Sequence, residues 1–292
     1  MYIEFCYIYG YQIVPSQENT LLLFVSYLYK KGFRATSIRV YLSAIRSMHI
    51  EQGMPNPLEN ACRIKLALKA IERNEFKPKQ KLPITYELLA QWKPFFNPQN
   101  DVDRLWWAVF TLAHFALMRA AEFTVPSQYS FTSNNHLVNS DVQFKLLDSN
   151  LKYMVVHLKQ SKTDSKGNGI DIYIGCTGTT VCAYCAMVQF VSLKRHNNDP
   201  LSPLFVFSNG ALVTKSLLTK TIKLYVVRIG LDPDKYSGHS FRSGGATTMA
   251  SNNFADWEIK LGGRWTSEAY QRYIRTPVPQ LIQFAKRMAT HN

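Results

Sequence analysis

The chain has 292 residues, of which 46% are hydrophobic and 18% charged, a composition typical of globular proteins that fold throughout their length. Its 34 lysines and arginines exceed its 20 acidic residues, and the formal charge of +14 favours a polyanionic partner, with nucleic acid the leading class. Charge alone leaves a solvated basic surface or an anionic membrane as alternatives. The five cysteines, an odd number, argue against a secreted disulfide framework.

The sequence does not favour a secreted or membrane-spanning protein. Its N-terminal segment, MYIEFCYIYGYQ, contains Glu4 and lacks the basic start and clean apolar core of a signal peptide. The most apolar run, Leu105–Met118, includes His114 and is shorter than the roughly 20 residues that span a bilayer. We therefore expect an intracellular protein with no membrane partner.

The length suits two domains, and the first is predicted to be helical. Apolar residues recur at helical spacing over Ser16–Lys31, Ile38–Met48 and about Glu59–Arg73. In the third helix Lys65, Lys69 and Arg73 follow one another at spacing four and form a basic stripe. The stripe predicts contacts with phosphates, and a merely solvated helix face is the alternative.

A basic linker is predicted between the domains. The stretch Phe76–Ile84, FKPKQKLPI, has two prolines, three lysines and no helical period, which is typical of extended chain. We place the boundary here, with a helical DNA-binding domain over residues 1–78 and a second domain over residues 79–292.

The second domain is predicted to be mainly helical with a small β-sheet. Helices are expected over Thr85–Trp92, Val102–Met118, Thr180–Lys194, Lys215–Arg228, His239–Ala250, Asp256–Leu261 and from about Pro279. Between the second and third of these, apolar residues alternate with polar ones over 154–158 and 170–174, on either side of DSKGNG. This pattern predicts a β-hairpin with a glycine-rich turn.

Three cysteines lie close together in the sequence of the second domain. Cys182 and Cys185 form CAYC, and Cys176 precedes them, a grouping that suggests zinc. A fourth ligand with convincing spacing is missing. We therefore expect buried structural thiols and no metal site.

Several charged residues occur in short, regularly spaced groups. Arg119 and Glu122 lie three apart in LMRAAEF, at the end of an apolar helix where a charged pair is costly unless it is satisfied. His239 and Arg242 lie three apart in GHSFRSGGAT, on one side of a helix turn, and the glycines beside them allow close packing. Lys162 follows the first predicted strand. Each group also has a purely structural interpretation. Arg119 and Glu122 could form an ion pair, His239 could cap its helix, and Lys162 could be a solvated lysine in a turn.

The order of these groups resembles the catalytic domain of tyrosine recombinases, the class of phage integrases, Xer proteins and Cre. The first motif is an arginine with a carboxylate three residues after it. It is followed along the chain by Lys-Thr, His-x-x-Arg, Gly-Arg-Trp and a C-terminal Tyr-Ile-Arg. TSIRVYLSAIRSMH is similar to the family's N-terminal core-binding domain, so the resemblance covers nearly the whole chain. HSFRSGGAT and GRWTSEAYQRYIRTP resemble the eukaryotic branch in DIRS-like and Ngaro-like retroelements and Cryptons. In the family the first helix begins upstream of a segment like FCYIYG, so we expect a longer reading frame.

The resemblance implies a role for each catalytic residue. Arg119 and Arg242 would clamp the scissile phosphate, with His239 between them in sequence and Glu122 orienting the site. Lys162 would protonate the leaving 5′ oxygen. Two further assignments complete the set, Trp265 as the donor to the same phosphate and Tyr273 as the nucleophile.

Two positions of the C-terminal motif leave alternatives. The family usually separates its His or Trp from the nucleophile by nine positions, whereas Trp265 lies eight before Tyr273 and Arg264 lies nine before it. Trp265 is retained because its indole N–H is a donor of the type that the family uses. Tyr270 is a rival nucleophile, which the Tyr-Ile-Arg context disfavours.

By resemblance, the partner is double-stranded DNA and the assembly a homotetramer on two duplexes. We further expect the two domains to close around DNA as a clamp, the protein to act in the nucleus, and the chemistry to need neither a metal nor a nucleotide cofactor. We assign contacts with DNA phosphates to Arg39, Lys65, Lys69, Arg73, Lys79 and Lys81. A C-terminal helix after Tyr273 would dock on a neighbouring subunit or pack in cis.

Two other functions fit the same residues. A non-catalytic DNA-binding protein derived from a mobile element would keep the fold without the reaction. A topoisomerase-like enzyme would nick and reseal one duplex without a partner duplex.

Overall fold

The computed structural model describes residues 1–75, 80–147, 151–161, 167–194 and 199–274. By its internal contacts the chain divides into two compact units, Met1–Pro78 and Lys79–Asn292. Lys79, Lys162 and the helix predicted from Pro279 lie outside the described residues. No helix within the described ranges is both long enough and apolar enough to cross a membrane.

The described part of the first unit is helical. Its helices are α1 (Tyr2–Tyr9), α2 (Glu18–Lys30), α3 (Ala35–Glu51) and α4 (Cys62–Asn74). The three predicted helices are confirmed, with α4 beginning three residues later than expected. Apolar residues at helical spacing, including Leu21, Phe24 and Ile38, are fully buried between them.

The sequence pattern did not predict α1. This helix buries Phe5 and Cys6 but exposes Tyr7 and Ile8, so its hydrophobic residues do not mark one face. It ends at Gly10, whose φ of 70° is left-handed and is tolerated because glycine has no Cβ.

The second unit combines helices with a small sheet. Its elements in chain order are α5 (Tyr86–Trp92), α6 (Asp101–Phe115), α7 (Ala120–Phe123), β1 (Val142–Leu147), β2 (Leu151–Leu158), β3 (Ile170–Gly175), α8 (Ala183–Ser192), α9 (Lys215–Arg228), α10 (His239–Ser251) and α11 (Asp256–Gly263). The expected mainly helical fold with a small β-sheet is confirmed. Most of α6 is buried, and Asn100 caps its start by accepting hydrogen bonds from the amides of Val102 and Asp103.

The predicted hairpin corresponds to β2 and β3, which pair antiparallel with Met154 opposite Ile174 and Val156 opposite Ile172. A third strand, β1, pairs antiparallel with the other edge of β2. The prediction missed β1 because it is an edge strand that is largely exposed, and its sequence VQFKLL lacks sustained alternation.

Close packing around α10 brings distant segments together. A Cβ on Gly244 would lie 1.7 Å from the Ile84 carbonyl oxygen, and one on Gly245 would lie 2.5 Å from the His114 carbonyl oxygen. The predicted role of these glycines in close packing is therefore confirmed.

The described end of the predicted linker is part of the second unit. The amide of Leu82 donates to the carbonyl of Lys235 at 2.7 Å, and the amide of Ile84 donates to that of Ser240 at 2.8 Å. Ile84 is fully buried. Residues 80–84 belong to no helix or strand, and their hydrogen bonds attach them to this unit, so they do not form a free linker.

Candidate active site

The turn that follows α6 accepts hydrogen bonds from two arginines of the C-terminal region. Leu117 is held at a left-handed φ of 46°. Its carbonyl accepts from the guanidinium of Arg242, and the carbonyl of Ala116 accepts from Nη1 of Arg264 at 2.8 Å. Arg119 follows the same turn at the start of α7. Three arginines that are far apart in sequence therefore lie around one turn.

Glu122 connects two of these arginines. It accepts from the Arg119 amide at 2.8 Å and from Nη1 of Arg119 at 2.9 Å, and Nη2 of Arg264 donates to it at 2.9 Å. Its side chain is only 4% exposed. The arrangement fixes both guanidiniums through charge-assisted hydrogen bonds. The ion pair that the spacing of three predicted is present, with Arg264 as an additional member.

Arg242 is fully buried. Its guanidinium donates to the carbonyls of Leu117 and Gly263 and lies 4.2 Å from the ring centre of Trp265. Burial, followed by the charges of Arg119 and Arg264, lowers the pKa of Arg242 to about 9. Among the described residues, Nε of Arg242 and Nε of Arg264 have no hydrogen-bond partner.

The described site carries more positive than negative charge. Three guanidiniums lie together, but the carboxylate of Glu122 pairs with only two of them, those of Arg119 and Arg264, and two buried N–H groups remain without an acceptor. Buried charges of this kind are costly unless an opposite charge offsets them. The arrangement is therefore chemically suited to bind an anion, and planar guanidiniums match the oxygens of a phosphate.

The two C-terminal tyrosines differ in environment. Tyr270 is 1% exposed and belongs to a small core cluster with Leu117 and Ile259. Tyr273 is half-buried, and its ring centre lies 5.8 Å from the Arg242 guanidinium carbon and 5.2 Å from the ring centre of Trp265. Tyr273 is thus the tyrosine beside the arginines, and the Trp265 ring lies against both Tyr273 and Arg242.

His239 is the first residue of α10 and lies one turn before Arg242. Its side chain reaches the surface. Partial desolvation, followed by the charges of Lys215, Arg242 and Arg119, lowers its pKa. The imidazole is therefore neutral near neutral pH and able to accept a proton.

Sequence reasoning missed the contribution of Arg264. Its side chain is 6% exposed, and it bonds Glu122 across a separation of 142 residues. The family spacing identified Arg264 as an alternative phosphate donor, but no local pattern predicted its bond to Glu122.

The described lysine nearest in sequence to Lys162 is Lys159, which bonds Asp141 at 2.6 Å and the Ser133 carbonyl at 2.7 Å.

The predicted DNA-contacting residues of the first unit lie on its surface. Lys65, Lys69 and Arg73 are exposed along α4. Arg39 pairs with Glu72, whose pKa it lowers. Arg39 and Lys65 line a groove of about 230 Å³ together with Arg46, which the sequence reasoning did not select.

The contact with DNA phosphates that is assigned to Lys81 stays a prediction. Lys81 is exposed, but its ammonium donates to the carbonyl of Asp234.

Of the three clustered cysteines, Cys182 is buried, Cys176 is half-buried and Cys185 is exposed. The prediction of buried thiols is therefore wrong for Cys185, because the first turn of α8 places it at the surface.

Known proteins share this architecture, although no family model matches the sequence. An integrase/recombinase, a xerD homolog of Selenomonas ruminantium, is 23% identical over 281 residues, which cover 93% of this chain and 77% of the relative. The Tn1549 transposon integrase in complex with circular intermediate DNA superposes with a TM-score of 0.59 at 12% identity, over 96% of this chain and 87% of that one. XerH recombinase bound to its palindromic difH substrate gives a TM-score of 0.63 at 16% identity, over 94% and 71%. The chain has the fold of the tyrosine recombinases.

Proposed function

We propose that the protein is a tyrosine recombinase that breaks and rejoins DNA strands through a 3′-phosphotyrosyl intermediate at Tyr273. The observation that carries the proposal is the surplus of buried guanidinium charge directly beside a half-buried tyrosine. The shared fold and the likeness to an integrase/recombinase over most of the chain support the same activity.

Each step of the reaction has a residue suited to it. The guanidiniums of Arg119 and Arg242 bind the nonbridging oxygens, where attack on phosphorus builds negative charge. The phenolic oxygen of Tyr273 bonds to phosphorus while His239 accepts its proton. The bond to the 5′ oxygen breaks, and Lys162 protonates that oxygen. A free 5′ hydroxyl from a partner strand reverses these steps, because the ester conserves the energy of the broken bond.

Three neighbouring residues position this machinery. Glu122 holds the guanidinium of Arg119 and is itself fixed by Arg264. Trp265 lies against Arg242 and Tyr273, and we assign to its indole N–H a hydrogen bond to the scissile phosphate. Tyr270 is disfavoured as the nucleophile because its ring is buried in the core.

The partner in this proposal is double-stranded DNA, whose phosphates contact the basic stripe of Lys65, Lys69 and Arg73 in the first unit. By resemblance the active assembly is a homotetramer on two duplexes. The motifs around Arg242 and Tyr273 further support an origin in a eukaryotic mobile element of the DIRS-like, Ngaro-like or Crypton branch, and hence a nuclear site of action.

A library of nicked duplexes with randomised sequence on both sides of the nick tests the activity without knowledge of the target site. Cleavage close to the nick releases a short strand that carries the 5′ hydroxyl, so the covalent complex cannot reverse. We expect wild type and Tyr270→Phe to give denaturation-resistant protein–DNA complexes, and Tyr273→Phe to give none while still binding DNA.

The same experiment separates the competing functions. Sequence-selective DNA binding with no covalent complex from wild type would contradict the proposal and favour a non-catalytic DNA-binding protein. Covalent complexes from an enzyme that relaxes a supercoiled plasmid without a second duplex would favour a topoisomerase-like activity.

A further inference from the structure

The three cysteines of the second unit converge into one cluster. Sγ of Cys176 lies 3.6 Å from Sγ of Cys185 and 3.8 Å from Sγ of Cys182. All three sulfur atoms lie within 4.8 Å of one another. Nothing in the proposed recombination chemistry uses this cluster.

The cluster joins two elements. Cys176 directly follows β3, Cys182 is the residue that caps the start of α8, and Cys185 lies in the first turn of that helix. The amides of Thr177 and Cys185 donate to Sγ of Cys182 at 3.3 Å and 3.4 Å. Such N–H donors, together with the helix N-terminus, stabilise a thiolate over a thiol.

We propose that Cys176, Cys182 and Cys185 bind one Zn²⁺ ion that ties the end of β3 to the start of α8. Tetrahedral zinc with Zn–S bonds of about 2.3 Å places neighbouring sulfurs about 3.8 Å apart. The separations of Sγ of Cys176 from the other two sulfurs, 3.6 Å and 3.8 Å, match this edge length. A disulfide would need sulfurs at about 2.05 Å.

The donor set selects the class of metal. Three soft thiolates favour zinc over magnesium or calcium, which prefer oxygen ligands. Among the described residues no fourth His, Cys, Asp or Glu joins the group, and Cys185 is exposed, so a solvent molecule completes the tetrahedron. Binding exchanges the thiol protons for the metal and releases them to solvent.

The 292-residue chain is purified in a phosphine reductant without chelator. Its bound metal is measured by mass spectrometry, and its binding of Co²⁺ is measured by the thiolate-to-cobalt absorption bands. We expect about one zinc per chain and a tetrahedral cobalt–thiolate spectrum. Cys176→Ser and Cys185→Ser should each weaken zinc binding on the order of a hundredfold or more, because each removes a ligand. Cys62→Ser, an exposed cysteine of the first unit, is the matched control and should keep full binding.

Circular dichroism and DNA binding of each variant separate loss of a ligand from loss of the fold, and Cys185→Ser is well suited because that side chain is exposed. Zinc binding to wild type no tighter than to a Cys176→Ser, Cys185→Ser double variant would overturn the proposal. The proposal would also be overturned if an alkylating reagent modified all three thiols as readily after incubation with Zn²⁺ as before it. Formation of a Cys176–Cys185 disulfide in the presence of zinc would overturn it as well. None of these measurements depends on recombinase activity.

Discussion

At the scale of single residues, the feature that organises the site is a carboxylate shared by two arginines. Glu122 is nearly inaccessible and bonds both Arg119 and Arg264. Loss of one partner from a buried ionic group leaves the other charges uncompensated, which costs several kcal/mol. We therefore expect the stability of the folded site to depend on Glu122.

Glu122→Gln should lower the free energy of unfolding by about 3 kcal/mol, because it leaves three neighbouring guanidiniums without a counter-charge. Denaturation followed by tryptophan fluorescence measures this, since all five tryptophans lie in the second unit. Inorganic phosphate should restore more stability to this variant than to wild type. Glu87→Gln, at an exposed position of α5, is the control, and equal stability of the two variants would count against the buried network.

Arg119→Lys and Arg242→Lys should each slow formation of the covalent complex on the order of a hundredfold, because a lysine cannot replace a bidentate guanidinium. DNA affinity should change little, because in the proposed complex many other lysines and arginines also contact the phosphate backbone. Single-turnover trapping and mobility shifts measure the two quantities. Arg228→Lys, an exposed arginine of α9, is the control. Unchanged trapping in both site variants would refute their role.

Local spacing predicted the pairs within the site but not the contacts between them. Arg119 and Glu122, like His239 and Arg242, lie three apart, so one helical turn is enough to relate them. The bond between Arg264 and Glu122 depends on tertiary packing across 142 residues, which no local pattern encodes. The preference for Trp265 over Arg264 as the phosphate donor stays a prediction, although the bonds of Arg264 to Glu122 and Ala116 give that arginine another role.

At the scale of elements, α6 is the buried helix around which the second unit packs, and it contains a histidine. His114 is 2% exposed, and its Nδ1 donates to the carbonyl of Ile84 at 3.0 Å. Burial lowers its pKa to about 4, against the smaller opposing effects of that hydrogen bond and of Glu87. The folded protein therefore keeps His114 neutral in mildly acidic solution.

This histidine makes stability depend on pH. In the unfolded chain its ordinary pKa of 6.5 applies, so between pH 6.5 and about 4 the unfolded state binds more protons than the folded state. The free energy of unfolding should fall as pH falls through this window, by about 3 kcal/mol from this group alone. Urea denaturation from pH 7 to 4 measures the slope. His114→Gln should flatten it, and an unchanged slope would contradict the assignment.

Amphipathic periodicity predicted the helices that bury one face, including α2, α3 and α9. It failed where hydrophobic residues do not separate into faces. In α1 the apolar residues lie all round the helix, and β1 is an edge strand with mostly exposed side chains. The structures of α1 and β1 depend on the elements that they pack against. The sequence pattern of a single segment carries no information about those elements.

At the scale of the whole molecule, the positive charge of +14 is carried by both units. Arg46 and Lys65 line the groove of the first unit, and neither is paired with a carboxylate within the described residues. Arg39, beside them, is partly neutralised by Glu72. We therefore expect phosphate contacts to dominate the affinity for DNA.

Binding that engages about 6 phosphates should give a slope of about −5 for log K against log salt concentration. Lys65→Ala and Arg46→Ala should each make the slope shallower by about 1 and weaken binding on all sequences alike. Fluorescence anisotropy across a salt series measures both effects. A flat salt response of the wild-type protein would contradict the electrostatic account.

The most direct test of the central claim is to locate the covalent bond between protein and DNA. Trapped complexes are digested with nuclease and protease, and the peptide that keeps a nucleotide is sequenced by mass spectrometry. The proposed chemistry predicts a 3′-phosphate ester on the phenolic oxygen of Tyr273, in the peptide between Arg272 and Arg275. A nucleotide attached to Tyr270, to another residue, or to a 5′ phosphate would contradict it.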